Sequence, residues 1–213
     1  PKQGTDAALG MAMGHVILRE FHLDQQSDYF QDYCRRYTDF PMLVRLDQQG
    51  DGYAGGRLLR ASDFTSALGE QENPGWKTVA VDRTTGEIVV PRGSIGFRWS
   101  TDGHWNLEEK DGQDQDVQLR LTTLHDRDET APVRFPYFGD RQHDHFTGTD
   151  HDEVLTRQVP VMRVTLADGT ETLVTTVFDL FAANYGVDRG LGGEHAAASY
   201  DDDVPYTPAW QEQ

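Results

Sequence analysis

Three groups of residues carry side chains of a kind that does chemistry: Gly4-Thr5-Asp6, the lone Cys34, and the histidine–aspartate stretch from His143 to Asp152. Gly4 lets a ligand come close to the backbone. A helix starting just after it would turn free amides and the positive end of its dipole toward an anion. Asp6 adds two acceptor oxygens side by side, which can take the N1–H and N2–H of a guanine, a match that phosphate binding alone does not need. Thr5 and Asp6 also serve as ordinary helix N-caps, so both readings stand at this point. His143 and His145 share one face of an extended segment, and His151 can close a three-histidine zinc site. The glycines and aspartates around them read as a solvated acidic loop, and that is the expectation. Asp201-Asp202-Asp203 is read the same way, because three adjacent carboxylates cannot all face one Ca²⁺. Cys34 falls inside an aromatic helical stripe, where a thiol is expected to be buried and inert. The sequence holds no P-loop, no G-x-S-x-G and no H-E-x-x-H. No metal ligand and no catalytic acid or base is assigned within these residues.

Apolar positions at helical spacing, Ala8 or Leu9, Ala12 or Met13, Val16 or Ile17, then Phe21, predict a helix that follows the Gly4-Thr5-Asp6 loop and carries one apolar face. Gly10 and Gly14 share one side of it and invite close packing. A second helix is predicted from near Ser27, with Tyr29, Phe30, Tyr33, Cys34 and Tyr37 as its stripe, ending before Pro41. Met42 to Leu46 reads as a strand closed by Gly50-Asp51-Gly52. Trp76 to Asp82 and Glu87 to Val90 read as a hairpin, and Ile95 to Trp99, Val117 to Leu124 and Val133 to Phe138 as further short strands. Val161 to Leu166 and Glu171 to Thr175 flank Asp168-Gly169, the expected two-residue hairpin turn. Val177 to Tyr185 turns helical, with Gly186 where a C′ glycine belongs, and Tyr206 to Trp210 reads as a loop entering another helix. The expected fold class is α+β: a helical segment over 1–75, a β-rich insertion over 76–175 and a helical return over 176–213.

The chain of 213 residues has 19 basic and 36 acidic side chains, a net charge of −17, which repels phosphate backbones and argues against nucleic acid as partner. One cysteine excludes an internal disulfide framework, a thiolate zinc finger and a cysteine-ligated iron–sulfur cluster within this stretch. The charge-free run from Ala7 to Leu18 is too short to span a membrane, and no basic region precedes it as in a signal peptide. A start at Pro1 without Met fits a processed protein or a piece of a longer one.

Pro1-Lys2-Gln3-Gly4-Thr5-Asp6-Ala7-Ala8-Leu9, with Ala12-Met13-Gly14-His15-Val16-Ile17-Leu18-Arg19-Glu20-Phe21, closely resembles a segment of molybdenum oxidoreductases of the dimethyl-sulfoxide-reductase superfamily. Tyr33-Cys34-Arg35-Arg36-Tyr37-Thr38-Asp39, Gly93-Ser94-Ile95-Gly96-Phe97-Arg98-Trp99 and Phe135-Pro136-Tyr137-Phe138 narrow the resemblance to alpha (catalytic) subunits of membrane-bound respiratory nitrate reductases. Leu173 to Leu180, Ala183-Asn184-Tyr185-Gly186, Ser199 to Asp202 and Tyr206 to Trp210 do the same. The resemblance implies an internal fragment of a larger molybdopterin oxidoreductase fold, inactive alone. The whole enzyme would reduce nitrate to nitrite by oxygen-atom transfer at a molybdenum bis-molybdopterin guanine dinucleotide centre, with quinol electrons arriving through iron–sulfur clusters. It assigns Gly4, Thr5 and Asp6 to the nucleotide end of that cofactor, with Asp6 reading guanine. The molybdenum ligand and the ligands of a [4Fe–4S] cluster would lie before Pro1. The implied partners are an iron–sulfur beta subunit, through it a membrane cytochrome b gamma subunit, and a dedicated assembly chaperone. The implied place is cytoplasmic, on the inner face of the cell membrane. A perchlorate or chlorate reductase is the sister alternative, and an acidic binding or scaffold module the non-catalytic one.

Overall fold

In the computed structural model the described residues are 6–93, 107–124, 129–135, 142–143, 150–151 and 155–196. Helix α1 spans Asp6–Ile17 and runs on into a π-helical stretch, Leu18–Asp24. Helix α2 spans Asp28–Tyr37, entered through an extended Ser27. It stops where Thr38 turns extended and donates its hydroxyl back to the Cys34 carbonyl at 2.5 Å, just ahead of Pro41.

Six strands form one sheet: β1 (Leu43–Gln49), β2 (Gly52–Leu58), β5 (Thr130–Phe135), β8 (Leu155–Pro160), β9 (Met162–Thr165) and β10 (Glu171–Thr176). Their order is β8-β5-β2-β1-β10-β9, antiparallel throughout except for the parallel β2–β5 contact. The sheet thus takes strands from both sides of residue 76. Two-stranded ribbons add β3 (Ala80–Val81) with β4 (Ile88–Val89), and β6 (Gln142–His143) with β7 (Asp150–His151). Helix α3, Val177–Asn184, follows β10 directly. Thr176 caps it, accepting a 3.0 Å hydrogen bond from the Asp179 amide, and Gly186 leaves it at φ +67°. Helices and a mixed sheet make an α+β fold.

Alternation along the strands builds two apolar layers. Leu46, Val133, Leu155, Val159 and Leu173 pack with Met11 of α1 and Ala183 of α3. Leu43, Val164 and Val174 point the other way and meet Leu59, Phe64, Val79 and Val81. A third cluster joins Leu18, Cys34, Leu121 and Phe178 between the helices. Burial pushes the Cys34 thiol up to about 11, which leaves it protonated and unreactive.

Four sequence expectations change. First, the single apolar face read from the spacing is not the one the fold buries: α1 buries Met11, His15 and Leu18, while Leu9, Met13, Val16, Ile17 and Phe21 remain 39–56% exposed. A helix apolar on every side has no single face for periodicity to find, and here close approach at Gly14 sets its rotation. Second, Val117 to Leu124 is not a strand. It makes one antiparallel bridge, Asp82↔Leu119, before Thr122 and Thr123 turn away to a buried carboxylate. Third, the β9–β10 connection is longer than a two-residue turn, five residues from 166 to 170: Gly169 donates to the Leu166 carbonyl at 2.9 Å with φ +83°, and Leu166 donates to the Thr170 carbonyl at 2.9 Å. Fourth, β2 and β8 are strands that the sequence does not announce. The Ile95–Trp99 strand, residues 136–138 and the Tyr206–Trp210 helix lie outside the described residues.

Candidate functional site

Asp6 is the first residue of α1, exposed and in its first turn. A carboxylate there presents two acceptor oxygens at the helix end that carries free amides, an arrangement suited to a ligand rich in N–H donors. Gly4 and Thr5 lie outside the described residues.

What the structure adds is how this helix is held. Gly14 lies against the Tyr185 ring so closely that any Cβ would fall inside it. One residue on, the His15 ring, 2% exposed, donates Nδ1–H to the Tyr185 carbonyl at 2.8 Å. Burial, the dominant cause, holds the His15 pKa below its ordinary value, and the positive charges of Arg19 and Arg157 push the same way. Met11 inserts into the core one turn earlier.

The receiving surface is itself braced. Arg157, 4% exposed on β8, donates Nη1–H to the Ala183 carbonyl at 2.6 Å and Nε–H to the His195 carbonyl at 3.0 Å. A guanidinium at these carbonyls satisfies the negative end of α3. Asp179, fully buried on α3, accepts from the Thr122 hydroxyl at 2.5 Å, the Thr123 amide at 2.8 Å and Arg189 Nη1 at 2.6 Å. Spacing alone predicts neither the anchoring role of His15 on α1 nor Tyr185 and Arg157 as the residues of its docking surface. The Thr176-x-x-Asp179 pattern is a local capping signal that points to Asp179.

The histidine–aspartate stretch is described only at its two ends. The β6–β7 register sets His143 opposite Asp150 and Gln142 opposite His151, so the two histidines are not partners across the ribbon. His145 and Asp152 lie outside the described residues, as do Asp201 to Asp203. Among the described residues no group of three His, Cys, Asp or Glu is placed to hold a metal ion.

No protein-family model matches the chain. Over its whole length it is 56% identical to respiratory nitrate reductase 1 alpha chain of Escherichia coli K12. It is 44% identical, again over its whole length, to nitrate reductase alpha chain of Bacillus subtilis 168. The chain spans 17% and 16% of the length of these two relatives. Perchlorate reductase subunit alpha of Dechloromonas aromatica is similar over 45% of the chain at 31% identity.

Proposed function

Because this chain belongs to the respiratory nitrate reductase alpha-chain family, we propose that it forms part of a catalytic subunit that reduces nitrate to nitrite. The observation that carries this reading is identity of 44–57% to such alpha chains along the entire chain. The perchlorate reductase likeness reaches less than half of it, which favours nitrate as substrate.

Within that subunit this stretch positions the cofactor and does no acid–base work. The family's bis-molybdopterin guanine dinucleotide centre would supply the oxygen-atom transfer, with electrons delivered through iron–sulfur clusters. The residues here fit the nucleotide end of that group. Asp6 offers an exposed carboxylate at a helix N-terminus, able to accept two N–H groups of guanine, and Gly4 and Thr5 precede it in the sequence. They do not fit the metal end, since Cys34 is buried with its thiol protonated. The molybdenum and [4Fe–4S] ligands are therefore assigned to the rest of the longer subunit. No helix among the described residues is long and apolar enough to cross a membrane. Attachment to the inner face of the membrane would come through an iron–sulfur beta subunit and a cytochrome b gamma subunit, after loading by a dedicated chaperone.

The test is Asp6→Ala in the full-length subunit, reading guanine nucleotide and molybdenum per polypeptide together with nitrate reduction. A charged hydrogen-bond partner is worth about 1.5–3 kcal/mol, so retention of the cofactor on dilution should fall about tenfold or more. Unchanged cofactor content in both Asp6→Ala and Asp6→Asn would remove Asp6 from the site.

A further inference from the structure

We propose that a second cleft, walled by α2, the end of the π-helical stretch and residues 119–124, binds a phosphate-bearing organic anion at a site separate from Asp6. The cleft has a volume of about 650 Å³, within the range of small-molecule sites. Along α1 and its π-helical continuation, Asp6 and His22 are sixteen residues apart, roughly 20 Å, so the two sites lie at opposite ends of this helix.

The charge of the wall is what calls for an anion. In a chain of net charge −17, this cleft is lined by Arg35, Arg83, Arg120 and Arg189, and among the described residues Asp188 is its one acid. Asp179 takes up Arg189, at 2.6 Å. Arg35 is not matched in this way. Its Nε is buried without a hydrogen-bond acceptor, and its ion pair with Glu109 is a long one, at 3.9 Å. Arg83 and Arg120 are set side by side by the backbone. The bridge Asp82↔Leu119, with Arg83 N–H to the Gln118 carbonyl at 2.6 Å and Arg120 N–H to the Val81 carbonyl at 3.0 Å, makes them diagonal neighbours across two segments. Such neighbours stand roughly 7–8 Å apart at Cα, and like charges there are destabilising. The repulsion is felt: burial, then Arg83, hold the Arg120 guanidinium below its ordinary pKa. Asp82 offsets it only in part, because its carboxylate already accepts from the Thr84 and Gln118 amides and the Thr85 hydroxyl. Guanidinium groups present planar pairs of N–H donors that match phosphate oxygens two at a time, and Leu119 and Leu121 give an apolar wall for an organic body.

The test uses the cofactor-loaded, full-length subunit and inorganic pyrophosphate as probe, followed by titration calorimetry. Saturable one-site binding is expected, weakened about tenfold or more in Arg83→Gln/Arg120→Gln and weakened less in Arg83→Lys/Arg120→Lys, which keeps the charge but loses the fork. Arg83 is exposed, so Arg83→Gln alone should melt within about 2 °C of the parent and still weaken binding, which separates lost binding from lost folding. No saturable binding by about 1 mM pyrophosphate, or equal binding by the Gln pair, would overturn the proposal. Tighter binding of a hexaglutamate peptide than of pyrophosphate would also overturn it, in favour of an acidic protein segment.

Discussion

His15 donates Nδ1–H to the Tyr185 carbonyl while 2% exposed, and its folded pKa lies below the ordinary value because burial disfavours the imidazolium. The unfolded ring takes up its proton near pH 6.5. Above that, both states are neutral and the contact contributes in full. As pH falls below about 6.5 the unfolded or undocked state binds the proton first, so docking of α1 weakens progressively until the folded pKa is passed. Amide exchange in α1 of the full-length subunit, corrected for its intrinsic pH dependence, should therefore speed up between about pH 7 and pH 5. His15→Gln cannot titrate, so its α1 exchange should be faster at neutral pH and flat across that range. A parent profile as flat as the variant's would mean that His15 does not report docking. Nothing local in the sequence marks this histidine, because its partner lies 170 residues away. Asp6, by contrast, is legible as the start of a helix from its capping type and the apolar run that follows.

Gly10 and Gly14 look alike in the sequence and differ completely in the fold. A Cβ on Gly14 would enter the Tyr185 ring, whereas one on Gly10 meets nothing within 4 Å. Helix propensity favours Ala over Gly by up to ~1 kcal/mol at both sites, but forcing a methyl into a packed contact costs about 1–3 kcal/mol. Gly14→Ala should then lower the urea midpoint of the full-length subunit's first transition, and Gly10→Ala should hold or raise it. Equal effects at the two sites would contradict the α1–Tyr185 contact. Elements with strong local signals were legible: α2 with its aromatic stripe, the β3–β4 and β9–β10 ribbons, and α3 between Thr176 and Gly186. The strands that escaped did so for physical reasons. The sequence Gly52-Tyr53-Ala54-Gly55-Gly56 has little strand propensity, yet it suits a tightly hemmed strand, since a Cβ on Gly52 would stand 2.9 Å from the Pro132 carbonyl. In β8, Arg157 breaks the apolar pattern because its side chain is needed at the end of α3. Residues 119–124 read as β-branched and apolar but are held by Asp179 instead of by a neighbouring strand.

At the scale of the molecule, apolar surface is distributed as though more polypeptide belongs against it. Leu9, Met13, Val16, Ile17 and Phe21 remain 39–56% exposed along α1 and its π-helical continuation. On α2, Tyr29, Tyr33 and Tyr37 form an exposed ladder of tilted rings with centroids 6.4 and 5.2 Å apart. Contiguous patches of this kind mark contact surfaces in soluble proteins. Relatives that match the whole chain are about six times as long, the chain spanning 17% of their length, which supplies the material to cover such a face. Met13 is the most informative residue to change, since it is 56% exposed here and is not part of the Gly14–Tyr185 contact that anchors the helix. Burying a Met side chain contributes about 1.5–3 kcal/mol, and a carboxylate forced into the same contact adds a desolvation cost of several more. Met13→Glu should accordingly lower the melting temperature and soluble yield of the full-length subunit. In the isolated 213-residue chain it should leave secondary structure unchanged and reduce binding of an apolar dye. If the full-length subunit tolerated Met13→Glu within about 0.5 kcal/mol, as ordinary surface positions do, this face of α1 would be solvent-exposed in the complete protein as well.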